Sequence, residues 1–209
     1  MLKLHCFGES GHSYKVALAL EFAGLDWEPV RIDFFKGEAR SDAFRSERNI
    51  MGEAPVLDTG AARLTQSGAI LDWIGEETGR FWGDTRAEAR EVWRWVLWDN
   101  HKLSGVNGTL RFLMNFLPEA HRKPDVIAWL DGRAKSSYAI LDRQLAGRDW
   151  IAGRDITAAD LSCCAYLFYD EPFGFDRAAY PNIDAWLDRI AALPGWKHPY
   201  DLMPRAFAA

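Results

Sequence analysis

Alternating apolar and polar residues open the chain and predict a β-strand at Leu2–Cys6. Apolar residues then recur at helical spacing between Ser13 and Ala23, and Gly24 suits the end of that helix. Trp27–Asp33 has the pattern of a second strand. Because a strand, a helix and a strand follow one another so closely, we expect two parallel strands joined by a right-handed crossover.

A hairpin and two more helices complete the first part of the chain. Ser41–Asn49 predicts a short charged helix, and Gly52–Thr65 predicts two short strands joined by a turn. Ser67 opens an amphipathic helix that runs to about Thr78. The order βαβαββα predicts a thioredoxin-like α/β domain over residues 1–78.

Glycines between residues 79 and 84 mark a domain boundary, and the pattern beyond them is entirely helical. We therefore expect an α/β plus all-α fold, with an all-α domain over residues 85–209. The first of its helices carries Gly105 and Gly108, where we expect a break. Thr157, with Asp160 three residues later, predicts a capping box at the start of another helix. The predicted helices are Thr85–Leu117, Asp125–Leu145 and Pro181–Leu193.

Composition narrows the function classes. The chain has 209 residues, 48% of them hydrophobic, which is enough for one large core or two small domains. A net charge of -5 without a basic block argues against nucleic-acid binding. No apolar run has the length of a membrane span, and no leader precedes the first strand, so we expect a cytoplasmic protein without a membrane partner. Three cysteines without Cys-x-x-Cys spacing predict neither a disulfide framework nor a metal site.

Pro55 immediately precedes an apolar strand, where a proline removes a ladder donor and suits a tight turn. A cis peptide bond is the usual reason for a proline in such a place. The helix that follows has free amides in its first turn, and Gln66 and Ser67 lie beside them. This arrangement predicts a site for an extended, anionic ligand.

Gly52–Leu57 and Gln66–Ile74 resemble the glutathione-binding half of the soluble glutathione transferases. The resemblance implies that Pro55 is cis and that the backbone of Val56 pairs with the cysteinyl part of glutathione. It also implies that the Gln66–Ser67 pair holds the γ-glutamyl carboxylate. Glutathione is then a co-substrate, and the helical domain contributes the site for a small hydrophobic electrophile.

Ser10–Val16 resembles the motif of the serine-type transferase classes, such as theta, zeta and several bacterial groups. By that resemblance Ser10 donates its hydroxyl to the glutathione sulfur. Such a donor is needed because a thiol of pKa about 8.5 is mostly protonated at neutral pH, and only the thiolate attacks. Ser13, Tyr14 and His12 are alternative donors, and Ser10 as a plain turn residue is a further interpretation.

Glu53 departs from the family pattern, which often places Lys or Gln near the glycyl carboxylate of glutathione. Arg40, Lys36 or Arg45 would then supply the positive charge. The resemblance further implies a homodimer, in which Asp99 lies near the γ-glutamyl amine bound by the partner. Alternative functions are a glutathione-dependent isomerase, dehalogenase or disulfide reductase, and a non-catalytic binding module, which Glu53 favours.

Overall fold

A computed structural model describes residues 1–207, which form two compact units. The first unit comprises Met1–Arg80 together with the segment that starts at Pro194, and the second is Phe81–Leu193. The sequence assigned everything beyond residue 84 to the helical domain. In the structure, the C-terminal segment instead packs with the α/β unit.

The first unit contains a four-stranded sheet in the order β2-β1-β3-β4. Strands β1 and β2 are parallel, whereas β3 is antiparallel to both β1 and β4. The elements follow the predicted βαβαββα order and end with one additional short helix. They are β1 (Leu2–Cys6), α1 (Gly11–Ala23), β2 (Trp27–Arg31), α2 (Asp42–Glu47), β3 (Val56–Asp58), β4 (Arg63–Thr65), α3 (Ser67–Thr78) and α9 (Pro199–Leu202).

Helix α1 is the centre of this unit. Both α3 and α9 pack against it, and most of its side chains are buried all round rather than along one stripe. Even Lys15 has no exposed surface. The helix ends at Gly24, whose left-handed conformation (φ +70°) is the one that glycine adopts most readily.

All regular elements in the described part of the second unit are helical. The chain stays helical from Arg86 to Phe116, with π-helical turns at Asp99–Leu103 and Phe112–Phe116. The predicted break at the glycines is wrong. A Cβ atom at Gly108 would lie 2.7 Å from the Tyr166 hydroxyl, so this glycine permits close helix packing. The helices are α4 (Arg86–Trp98), α5 (Ser104–Arg111), α6 (Pro124–Leu145), α7 (Ala158–Cys164) and α8 (Pro181–Ala191).

The predicted capping box at the start of α7 is present. Asp160 is fully buried, and its carboxylate accepts hydrogen bonds from the Ile151 amide, the Thr157 amide and hydroxyl, and the Trp186 indole, all at 2.8–3.0 Å. Burial raises the pKa of Asp160 to about 6, against the opposing effect of these donors. One carboxylate thus joins the loop before α7 to both α7 and α8.

We expect Asp160→Asn to lower the free energy of unfolding by about 2 to 4 kcal/mol at pH 7.5, because the new amide group turns a donor toward a buried N–H. Denaturant unfolding measures the loss. Asp155→Asn is the matched control, since Asp155 is exposed and should change stability by less than about 0.5 kcal/mol. Equal effects of the two substitutions would contradict this role for Asp160.

Candidate functional site

Ser10 lies in the first unit, where β1 ends and α1 begins. It is the N-cap of α1, and its Oγ accepts a hydrogen bond from the Ser13 amide at 3.1 Å. That bond occupies a lone pair of the oxygen and leaves the hydroxyl hydrogen available to another acceptor. The positive end of the helix dipole lies at the same place. The arrangement can therefore stabilise an anion next to the Ser10 hydroxyl.

The alternative donors differ from Ser10 in exposure. Tyr14 has no exposed surface, and its hydroxyl donates to the Lys197 carbonyl at 2.8 Å. Ser13 is also fully buried, and its hydroxyl has no hydrogen-bond partner among the described residues. Ser10 retains 7% of its surface. A ligand atom that approaches from solvent can therefore reach Ser10, whereas it cannot reach Ser13 or Tyr14.

His12 joins the starts of two helices. Its Nδ1 lies 3.4 Å from the hydroxyl oxygen of Ser67, the first residue of α3. Burial, together with repulsion from Lys15, lowers the pKa of His12 well below its usual range, so the ring is neutral at pH 7. The first turns of α1 and α3, where the two predicted sites lie, are therefore in contact through the His12 side chain.

The start of α3 has an exposed Gln66 and a buried Ser67, and their role in binding a ligand stays a prediction. Gln66 precedes the helix with φ +67° and forms no side-chain cap, so the first amides of α3 stay without an intrahelical partner. The Gln66 amide group instead donates to the Glu53 carboxylate at 3.0 Å and to the Met51 sulfur at 3.2 Å. Together the hydroxyl of Ser67 and the free amides form a site that suits a carboxylate.

The Ala54-Pro55 peptide bond is cis, as predicted. The prediction that Val56 offers free backbone groups is wrong. Val56 is buried in β3, between His5 of β1 and Thr65 of β4, and these strands occupy both sides of its backbone. Ala54 lies just outside the ladder, half-buried, and within the described residues no hydrogen bond engages its backbone. The backbone that an extended ligand can pair with is therefore that of Ala54.

Glu53 and Arg40 lie on the surface of the first unit. The Glu53 side chain is exposed, and among residues 1–207 its recorded partner is the neutral amide of Gln66 rather than a cation. The Arg40 guanidinium lies 5.9 Å from the centre of the Phe34 ring. Within residues 1–207, Glu53 forms no close ion pair with Arg40, Lys36 or Arg45, and a ligand role for Arg40 stays a prediction.

Asp99 does not have the geometry that the sequence predicted for a partner's ligand. It is fully buried in the second unit, where Ser104 and Ser162 donate their hydroxyl groups to its two oxygens at 2.7 and 2.5 Å. A carboxylate with no exposed surface and both oxygens bound cannot reach a ligand on another subunit. The structure instead assigns Asp99 to the internal packing of the π-helical turn.

Two other expectations were that the chain has no metal site and no membrane span. Within residues 1–207, no group of three or more His, Cys, Asp or Glu side chains is placed to bind a metal ion. None of the helices in this described part of the chain is both long and apolar enough to cross a membrane.

Two family models match the chain. The N-terminal domain of glutathione S-transferases matches residues 2–76, and the C-terminal domain matches residues 110–194. Together the two models cover well over half of the sequence.

Known proteins of similar length match as well. The disulfide-bond oxidoreductase YfcG of Escherichia coli is 26% identical, over 90% of this chain and 89% of its own. The maleylacetoacetate isomerase of Pseudomonas aeruginosa is 27% identical, over 95% and 96% of the two chains. The crystal structure of a glutathione S-transferase from Xanthobacter autotrophicus Py2 superimposes with a TM-score of 0.87 at 29% identity, covering 96% of this chain and 98% of that one.

Proposed function

This chain belongs to the glutathione S-transferase family, and from that premise we propose that it binds glutathione in its first unit and stabilises the thiolate with the hydroxyl of Ser10. The thiolate then attacks a small hydrophobic electrophile. The observation that carries the proposal is the position of Ser10, with its oxygen held by the Ser13 amide and its hydrogen free at the start of α1.

The remainder of the tripeptide has a complementary surface nearby. In this proposal Ser67 and Gln66 at the start of α3 bind the γ-glutamyl carboxylate, and the backbone of Ala54, just outside the ladder, pairs with the cysteinyl part. Arg40 is the candidate for the glycyl carboxylate. These contacts hold the peptide by its ends and its backbone, so its sulfur is free to meet Ser10.

A single hydroxyl is sufficient for the chemistry. A hydrogen bond to a charged acceptor contributes about 1.5 to 3 kcal/mol, which lowers a thiol pKa by about one to two. Starting from about 8.5, that shift brings the thiol pKa to about 6.5 to 7.5, so a large share of the thiol is ionised near neutral pH. The dipole of α1 acts in the same direction.

A second candidate function uses the same thiolate on a different substrate. The two relatives described above are named as a disulfide-bond oxidoreductase and an isomerase, so reduction of a glutathione-linked disulfide and isomerisation are the alternatives. Parallel assays with an aromatic electrophile, a mixed disulfide and a cis-alkene diacid distinguish the three reactions.

We further propose that the protein is a cytoplasmic homodimer. Exposed apolar side chains on both units support an interface: Ile50 and Met51 in the first unit, and Leu97 on α4. Of three aromatic residues near the domain boundary in the sequence, Phe81 is buried, whereas Trp73 and Trp82 are partly exposed.

Sedimentation velocity at micromolar concentration should give twice the mass of the chain. Ile50→Lys should shift the protein toward the monomer, because Ile50 is 83% exposed and its replacement disturbs an interface rather than the core. A wild-type protein that sediments as a monomer would rule out the dimer.

Ser10→Ala should reduce turnover with an electrophile about ten- to a hundredfold near neutral pH, because the thiolate loses one charge-assisted donor. The deficit should shrink as pH rises, since alkali then supplies the thiolate. Glutathione affinity by calorimetry should change little. A pH profile of kcat/KM measures the effect.

Ser13→Ala is the matched control, because the Ser13 hydroxyl is buried and cannot reach a ligand. Its pH profile should follow that of the wild type. If Ser13→Ala showed the pH-dependent loss and Ser10→Ala did not, the assignment of the sulfur donor would be wrong.

Glu53→Gln should tighten glutathione binding about two- to tenfold at low ionic strength, because it removes a like charge near the ligand's carboxylates. The new side chain still accepts a hydrogen bond from Gln66, so the start of α3 keeps its geometry. Glu77→Gln is the control, because it removes the same charge near the other end of α3. Calorimetry at two salt concentrations makes the comparison, and equal affinities for the two variants would refute the repulsion.

A further inference from the structure

The C-terminal segment of the first unit lies against the loop that carries Ser10. The Gly8 amide donates to the Pro204 carbonyl at 2.7 Å, and the Arg31 guanidinium donates to the Arg205 carbonyl at 2.9 Å. The ring of Phe207 packs edge-on against Phe35 at 5.0 Å. The segment thus contacts Gly8 within the β1–α1 loop, Arg31 at the end of β2 and Phe35 shortly after β2.

Glu9, the residue before Ser10, makes the strongest of these connections. Its side chain is buried, and its two carboxylate oxygens accept hydrogen bonds from the Ala206 and Phe207 amides at 2.9 and 3.0 Å. The Arg205 guanidinium lies 3.5 Å from the same carboxylate. A buried carboxylate is costly without such donors, and charge-assisted bonds are about twice as strong as neutral ones. Glu9 therefore couples the C-terminal segment firmly to the loop.

Gly8 shows how closely the two segments approach. A Cβ atom at this position would lie 3.1 Å from a ring carbon of Tyr200, 3.2 Å from the Met203 carbonyl oxygen and 3.3 Å from the Arg205 Cα. Two of these neighbours are backbone atoms, which cannot rotate away. The loop before Ser10 is thus packed directly on the backbone of residues 203–205.

We propose that Glu9 is a positioning residue for Ser10: by binding the amides of Ala206 and Phe207, it fixes the loop and so the direction of the Ser10 hydroxyl. The inference rests on the proposed function of Ser10. The reason is geometric, since a donor misplaced by about 1 Å loses most of its effect on the reacting atom. Glu9 itself contacts neither the sulfur nor the rest of the peptide in this account.

Ala206→Pro tests the proposal because proline has no amide hydrogen to donate to Glu9. We expect the pKa of bound glutathione, followed by thiolate absorbance, to rise by about half to one, which is part of the rise caused by Ser10→Ala. Ala206→Gly keeps the amide and should leave that pKa at the wild-type value. Calorimetric affinity for glutathione confirms that each variant retains a folded site.

The double variant separates positioning from direct electrostatics. If Glu9 acts through Ser10, then adding Ala206→Pro to Ser10→Ala should cause no further shift in the pKa of bound glutathione. An equal shift in both backgrounds would overturn the proposal, because the unpaired carboxylate would then act on the sulfur directly. An Ala206→Pro thiol pKa equal to that of the wild type would overturn it as well.

Gly8→Ala is a second variant that disturbs the same contact without altering Glu9 or any charge, and it serves if Ala206→Pro does not fold. The added methyl group must displace the C-terminal segment by a few tenths of an ångström. We therefore expect the thiol pKa of bound glutathione to rise, but by less than in Ala206→Pro. If Ser10→Ala itself leaves the thiol pKa unshifted, the proposed function fails and the Glu9 inference fails with it. If the thiol pKa shifts in Ser10→Ala but in neither Ala206→Pro nor Gly8→Ala, the Glu9 inference alone is rejected.

Discussion

The hydrogen bond from the Ser13 amide to the Ser10 hydroxyl is the contact on which the site depends. It ends the loop after β1, starts α1, and holds the Ser10 oxygen at the positive end of that helix. An N-cap bond of this kind contributes about 1 kcal/mol to helix stability. The same bond uses a lone pair of the oxygen and leaves the hydroxyl hydrogen available to an acceptor. Capping and the proposed stabilisation of the thiolate therefore depend on the same serine.

The fold brings a second helix start to the same place. The starts of α1 and α3 approach each other closely enough for His12 to contact Ser67. Two helix N-termini favour negative charge, while Glu53 on the surface opposes it. The fixed dipoles and hydroxyls are partly buried, whereas Glu53 is exposed and screened by salt, so the local balance favours an anionic ligand.

The sequence predicted those structural features that depend on residues close together in the chain. The cis proline at Pro55 and the Thr157–Asp160 capping box each depend on residues within a few positions of one another, and both are present. The order of the strands and helices followed from their periodicity.

Features that depend on distant partners were not predictable. The free backbone belongs to Ala54 because the register with β1 and β4 encloses Val56. Asp99 is internal because Ser162, 63 residues away, donates to it. The C-terminal segment joins the first unit through Glu9, a contact across 197 residues that no local pattern reveals.

A crystal structure of the protein with glutathione tests the central claim most directly. The measured quantity is the distance from the glutathione sulfur to the Ser10 Oγ. We predict a hydrogen-bonding distance of about 3.0 to 3.5 Å, with the Ser13 amide still bound to the same oxygen. A sulfur that lies beyond that range from Ser10, or that is bound by His12 or another donor instead, would contradict it.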